Sequence, residues 1–156
     1  MLSWWHLLVG LVLPACGGEG AAGLPMPAQM DMAAIIRPAS PNTALAAPPG
    51  FAPAPDIVTR RYVVPPERLA AALAQVAAGE ARVFEQARFP AAGQTHWVAR
   101  TKLMNYPDLI NAQIVEMPGG VGVFLYSRSL VGYSDLGVNA KRVAAWRSAF
   151  DAALAR

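Results

Sequence analysis

Hydrophobic and polar positions alternate along much of the chain between residues 57 and 130, and this period of two is typical of β-strands. The alternating runs are rich in valine, isoleucine and aromatic residues, and they cover residues 57–64, 81–89, 95–104, 109–117 and 121–130. Short separators of proline, glycine and asparagine are typical of turns and leave no room for helices between the last four runs. The pattern therefore predicts antiparallel neighbours.

Two other stretches repeat their hydrophobic residues every three or four positions, as one face of a helix does. The first begins after Pro65 and ends at Gly79, and its apolar stripe consists of Leu69, Leu73 and Val76. The second covers residues 139–154, and its apolar face consists of Val143, Trp146, Phe150 and Leu154. Asn139 is predicted to be the N-cap of this second helix.

The order of elements is strand, helix, several strands, helix. It predicts an α+β domain over residues 57–156, in which an antiparallel sheet of about four to five strands carries two helices packed on one face. Strand alternation assigns Trp97, Val123 and Leu125 to the face that the helices cover.

The first 15 residues have the composition of an export signal. Residues 2–15 are mostly apolar and end in Leu13-Pro14-Ala15-Cys16. The run is too short to cross a bilayer as a helix, which takes roughly 20 residues, and it suits the apolar part of a secretory signal. Its end resembles the bacterial lipobox, which implies a signal peptide over residues 1–15 and lipidation of Cys16. The alternatives are an ordinary cleaved signal, an uncleaved anchor and a buried core segment.

Residues 16–56 are rich in proline, glycine and alanine. Eight of the 14 prolines lie between residues 17 and 56. Proline removes backbone donors and favours extended chain, so the segment is predicted to be a tether between a membrane anchor and the folded domain.

The composition argues against several kinds of site and partner. A single cysteine excludes an internal disulfide, and two distant histidines with one cysteine do not suit a zinc site. No cofactor or metal is expected. The net charge of +3 is far below the clustered basicity of a dedicated nucleic-acid binder, so no nucleic-acid partner is expected.

A candidate binding surface follows from the face opposite the helices. Alternation places Arg100, Lys102, Tyr126 and Arg128 there, with His96 beside them. Guanidinium groups bind phosphate or carboxylate with two parallel hydrogen bonds, so this set predicts a platform for an anion. The alternatives are that these residues are solvated or ion-paired, and that Arg128 pairs internally with Asp135.

A second group of candidate residues lies in the segment 126–142, which is dense in polar and turn-forming residues. Its candidates for ligand or partner binding are Tyr126, Ser127, Arg128, Ser129, Tyr133, Ser134, Asp135, Asn139 and Arg142. A hydrolase or transferase could be assembled from Ser127 or Ser134 with His96 and Asp135, but such combinations occur in most chains. The Gly-rich phosphate loop and the Gly-x-Ser-x-Gly elbow are absent from the sequence.

Three stretches resemble the motifs of one bacterial protein family, DUF1499. The middle motif is Val98 to Met104 followed by Tyr106-Pro107-Asp108, the closing motif is Tyr126 to Asn139 with Arg142, and the opening motif is Ser40-Pro41-Asn42. The resemblance covers about residues 37–155. It implies a bacterial envelope protein whose opening motif docks on the domain, and it brings no assigned substrate, cofactor or catalytic residue.

Taken together, these features predict a non-catalytic binding module, lipid-anchored at Cys16 and facing the periplasm. Its expected partners are the membrane and an anionic envelope component or envelope protein. The enzyme based on Ser127, Ser134 or His96 and a purely structural domain are the alternatives. The choice between inner and outer membrane stays open.

Overall fold

The computed structural model describes residues 14–156, and its centre is one sheet of six strands in the order β2-β1-β6-β5-β4-β3. The strands are β1 (Thr43–Ala47), β2 (Ile57–Val58), β3 (Val83–Phe89), β4 (Gln94–Arg100), β5 (Pro107–Met117) and β6 (Gly120–Ser129). The helices are α1 (Pro66–Ala78) and α2 (Val138–Leu154), and short 3-10 turns occupy Pro14–Cys16, Met32–Ala34 and Pro90–Ala92. The predicted α+β class is confirmed.

Neighbouring strands are antiparallel from β3 through β4, β5 and β6 to β1, and only the pairing of β1 with β2 is parallel among the described residues. The sheet therefore has one more strand than the four to five expected, and it is mixed. The extra strand is β1, whose Thr43 pairs with Arg128 and whose Ala46 pairs with Leu125.

Both helices pack on one face of the sheet, as the alternation predicted. The core between them contains Leu69 and Leu73 of α1, Trp97 of β4, and Trp146 and Phe150 of α2. The rings of Trp97 and Trp146 meet edge to face with centroids 5.5 Å apart. Burying a side chain of this size contributes about 1.5–3 kcal/mol, so these aromatic residues dominate the helix-side layer.

The other face of the sheet is covered by the chain that precedes the helices. Met32, Ile35 and Leu45 form a second buried cluster with Phe124 and Tyr126 of β6. Phe51 also packs there, and its ring centroid lies 4.7 Å from that of Phe124.

The prediction of a tether over residues 16–56 therefore needs correction, because this stretch supplies a strand and the cover of one sheet face. Its prolines flank β1 on both sides but do not enter it, so the strand keeps all its backbone donors. The alanines of β1 are small enough to fit in the middle of the fold, and all five of its residues are buried.

In the described part of the chain, residues 14–156, none of the helices combines the length and the hydrophobicity that a membrane crossing needs. The predicted signal over residues 1–15 falls almost entirely outside this part.

Candidate functional site

Residues from all three sequence motifs meet at one edge of the sheet, around Asn139. This edge is formed by the end of β4, the start of β5, the end of β6 and the start of α2, since Arg100 pairs with Pro107 and Asp108 pairs with Ser129. Asn139 is fully buried there in the first turn of α2.

The side chain of Asn139 links the closing motif internally. Its amide oxygen accepts hydrogen bonds from the hydroxyl of Ser127 and from Nη1 of Arg142, the latter at 2.7 Å. Its amide nitrogen donates to Oγ of Ser129 at 2.9 Å and to Oδ2 of Asp135 at 2.7 Å. A buried polar side chain is stable only when its donors and acceptors are satisfied, and that of Asn139 meets this condition.

The opening and middle motifs join the same network. The amide nitrogen of Asn139 also donates to the backbone oxygen of Asn42 at 3.0 Å, and Nδ2 of Asn42 donates to the backbone oxygen of Gly132 at 2.7 Å. Nη2 of Arg142 donates to Oδ2 of Asp108 at 2.8 Å, and both side chains are largely buried. Chain segments far apart in sequence are thus held together by charge-assisted and amide hydrogen bonds.

The N-cap of helix α2 is Gly137, not Asn139, and the carboxylate of Asp135, two residues earlier, accepts the hydrogen bonds that a capping side chain would. Oδ1 of Asp135 accepts from the backbone N–H of Gly137 at 3.0 Å, and Oδ2 accepts from the backbone N–H of Asn139 at 2.7 Å. Gly137 has φ of 78°, a left-handed conformation that glycine adopts without steric cost, and it lets the chain turn into the helix. The predicted N-cap was wrong because Asn139 lies one residue inside the helix.

Asp135 is held in its charged form by these contacts. Burial alone would raise the pKa of its carboxyl group, but hydrogen bonds from the backbone of Asn139 and Gly137 and from the side chain of Asn139 outweigh burial. The pKa of Asp135 is therefore lowered from its ordinary value.

A pocket of about 210 Å³ opens outside this network, and we call it the motif pocket. It is lined by Thr101, Tyr106, Asp108, Ser129, Val131, Gly132, Ser134, Asp135, Leu136 and Val138. Carboxylates and hydroxyls supply its polar side chains. The guanidinium of Arg142 lies behind this lining and is already paired with Asp108. Its polar side chains are two carboxylates, which accept hydrogen bonds, and four hydroxyls, which both donate and accept.

Two other depressions are larger than the motif pocket. One of about 480 Å³ lies between α1 and α2, and its lining includes the polar Gln75, Glu80 and Arg156 as well as four alanines. Another of about 260 Å³ is lined partly by Glu67, Arg88, Gln94 and Thr95. None of the residues that line these two depressions belongs to the three motifs, whereas the motif pocket is lined mainly by residues of the middle and closing motifs.

The predicted anion platform does not form. Arg100 is only 4 % exposed, and its guanidinium donates to backbone carbonyl oxygens of the N-terminal segment, including Gly20 at 2.8 Å and Ala22 at 2.9 Å. Tyr126 and His96 are also buried, while Lys102 is exposed on the loop beyond β4. The face alternation behind the prediction was correct, but residues 15–51 cover that face.

Arg128 does not pair with Asp135. It projects from β6 on the face opposite Ser127, beside Tyr126, where it and Arg37 oppose the rise that burial produces in the pKa of the Tyr126 hydroxyl. The hydrogen bonds of Asp135 come from Gly137 and Asn139 instead. The alternative of an internal pair that fixes the turn into α2 was therefore wrong.

The Ser-His-Asp arrangement does not form either. Ser127 lies on the helix side, since its hydroxyl donates to Asn139, whereas His96 lies on the other side and bonds through Nε2 to Oε1 of Gln94 at 2.7 Å. The sheet separates the two. Ser134 and Tyr133 are exposed on the loop after β6, and Ser134 faces the motif pocket.

Several residues of the site were not singled out from the sequence. Asp108 and Tyr106 belong to the middle motif, and Asn42 belongs to the opening motif, so the motifs themselves carried the signal. Asn105, which binds the N-terminal segment, had no such signal beyond its place in a turn.

Within residues 14–156 no group of three or more histidine, cysteine, aspartate or glutamate side chains is arranged to hold a metal ion.

The fold and the site define a class of protein: an α+β domain in which a six-stranded sheet carries two helices. Three motifs form one hydrogen-bond network at a sheet edge, and two of them line a polar pocket there. The chain belongs to the family described as "Protein of unknown function (DUF1499)", whose model matches residues 36–150. The predicted family is thus confirmed. No curated protein and no solved structure matches the chain.

Proposed function

We propose that this protein is a membrane-anchored, non-catalytic binding domain of the bacterial envelope, and that its ligand or partner protein binds in the motif pocket. The observation that carries the proposal is the convergence of the middle and closing motifs on that pocket, with the opening motif bound to the network behind it. A network serving stability alone has no need of a polar opening to solvent, yet Ser129, Asp135 and Asp108 both join the network and line the opening.

The chemistry of the pocket favours a ligand that donates hydrogen bonds. Asp135 is charged, Asp108 lies 2.8 Å from the guanidinium of Arg142, and Ser129 and Ser134 add hydroxyls. Such a lining suits hydroxyl groups of a sugar or glycerol headgroup, or an amine. An anion loses its support as the ligand, because Arg100 is engaged with backbone carbonyls.

Anchoring is proposed from the sequence of the first 16 residues, with a signal peptide over residues 1–15 and lipidation at Cys16. The apolar run and the lipobox-like ending support it. The domain then faces the periplasm. Metabolic labelling with radioactive palmitate, with Cys16→Ser as the comparison, tests this part separately.

Site-specific photocrosslinking in intact cells tests the binding role. Benzoylphenylalanine is placed at Ser134, which is exposed and lines the pocket, and at Ala71 on the exposed side of α1 as the matched control. We expect Ser134 to give adducts, identified by mass spectrometry, that Ala71 does not give. Identical adduct patterns at both positions would contradict a binding role for the pocket.

A further inference from the structure

The N-terminal end of the described chain is fixed to the loop between β4 and β5. Nδ2 of Asn105 donates to the backbone oxygens of Cys16 at 2.6 Å and Gly18 at 2.8 Å. Arg100 binds the next part, donating to the carbonyls of Gly20 and Ala22, and it also donates to that of Ala15. Two side chains thus hold five carbonyl groups over residues 15–22.

The side chains that hold residues 15–22 are themselves fixed by further hydrogen bonds. Asn105 is fully buried with φ of 55°, and its side-chain oxygen accepts a hydrogen bond from Nη2 of Arg82. Arg82 is held in turn, since its Nε donates to the backbone oxygen of Arg100 at 2.9 Å. Nδ2 of Asn105 and the guanidinium of Arg100 take most of their partners from residues 15–22, so releasing this segment would leave buried donors unpaired.

The same edge of the molecule exposes large apolar side chains. Leu103 is 72 % exposed on the loop after β4, and Tyr133 and Leu136 are 73 % and 87 % exposed on the loop after β6. The two loops adjoin, since the backbone N–H of Leu130 donates to the oxygen of Pro107 and both loops line the motif pocket. Large exposed apolar residues are typical of interaction surfaces, and the N-terminal segment that leads to the proposed anchor is held beside the loop after β4 by Asn105.

We infer that this edge is a membrane-docking surface, on which the loops 101–106 and 130–137 contact a phospholipid bilayer. The inference rests on the proposed membrane attachment. It holds for the apolar residues 2–13 as the anchor, and for an acylated Cys16 whose side chain, buried in this structure, turns outward, because either anchor joins the chain at the segment that Asn105 and Arg100 hold. The domain therefore meets the bilayer in one orientation, with the motif pocket turned toward lipid headgroups.

Depth-dependent fluorescence quenching tests the orientation. The full chain is reconstituted in vesicles of phosphatidylethanolamine and phosphatidylglycerol, and an environment-sensitive dye is attached to Leu103→Cys, Leu136→Cys or Val63→Cys. Val63 is the matched control: it is apolar and 90 % exposed, and it lies toward the opposite edge, because its neighbour Tyr62 pairs with Val121 at the start of β6. Wild type treated with the dye gives the background from Cys16, the chain's one native cysteine.

We expect quenching by lipid-bound quenchers at Leu103→Cys and Leu136→Cys, and none above background at Val63→Cys. Flotation of the vesicles measures attachment independently. Equal quenching at all three positions in protein that floats overturns the orientation but leaves anchoring intact. Protein that does not float overturns both. Because the three side chains are exposed, circular dichroism is expected to show unchanged folding in each variant.

Discussion

At the candidate site single side chains make several interactions at once, as Arg142 and its partner Asp108 show. Their ion pair is mostly buried, and Arg142 also donates to Asn139 and Ser127. Burying an ion pair costs solvation, so its net effect on stability is modest while both partners are present. Removing one partner is different, because the other charge then stays buried without compensation.

Arg142→Met is therefore expected to lower the free energy of unfolding by about 3 kcal/mol, measured by urea denaturation. Arg147→Met is the matched control, since Arg147 lies on the same helix in an exposed pair with Asp151 and such pairs contribute less than about 1 kcal/mol. The double variant Asp108→Asn/Arg142→Met should recover part of the loss. Equal, small effects of Arg142→Met and Arg147→Met would contradict the assigned role.

Asp135 gives the stability of the protein a defined pH dependence. Its pKa is lower in the folded chain than the ordinary 3.8. The charged form therefore stabilises the fold fully above that ordinary value, and this contribution is lost as the pH falls through the lower, folded-state pKa.

Asp135→Asn is expected to be less stable than wild type by about 1 kcal/mol at pH 7, because a charged cap also interacts favourably with the helix N-terminus. Urea denaturation of both proteins from pH 7 to pH 2 measures the difference, which should shrink in the acid range. A difference that does not change with pH would show that the charge of Asp135 is unimportant.

At the scale of elements, β1 is the part of the sheet that periodicity did not reveal. The long alternating runs were predicted because each has several large apolar residues on one face, as Trp97 or Val123 and Leu125 show. β1 has only five residues, most of them alanine, between two proline-rich stretches. It is a strand because it pairs with β6 and β2, and such pairing between distant segments is not visible in the local sequence pattern.

Ala46→Leu tests whether β1 belongs to the tightly packed interior. Ala46 is fully buried between its partners Leu125 and Ile57, so a larger side chain should destabilise the protein by about 1–3 kcal/mol. The same change at the exposed Ala71 of α1 should stay within about 0.5 kcal/mol. Thermal unfolding followed by circular dichroism compares the two variants, and equal melting temperatures would place residues 43–47 outside the core.

Across the whole molecule, the sequence predicted the helix-side layer better than the opposite layer. Which residues share a face follows from local periodicity, so the sides of Trp97 and Tyr126 were both assigned correctly. What covers each face depends on contacts between distant segments, and here Met32 and Ile35 cover the side that was expected to be open. The same limit applies to the site. The motifs indicated which residues meet there, but they did not indicate that Arg100 would bind the N-terminal segment.

The position of β1 also constrains when the fold can form. Its antiparallel partner is the last strand, with Thr43 opposite Arg128, so an early part of the chain waits for a late one. Closing so long a loop costs chain entropy before any contact compensates it, which slows folding. The sheet is completed only after synthesis has passed Arg128, so β1 lacks its antiparallel partner while most of the chain is being made.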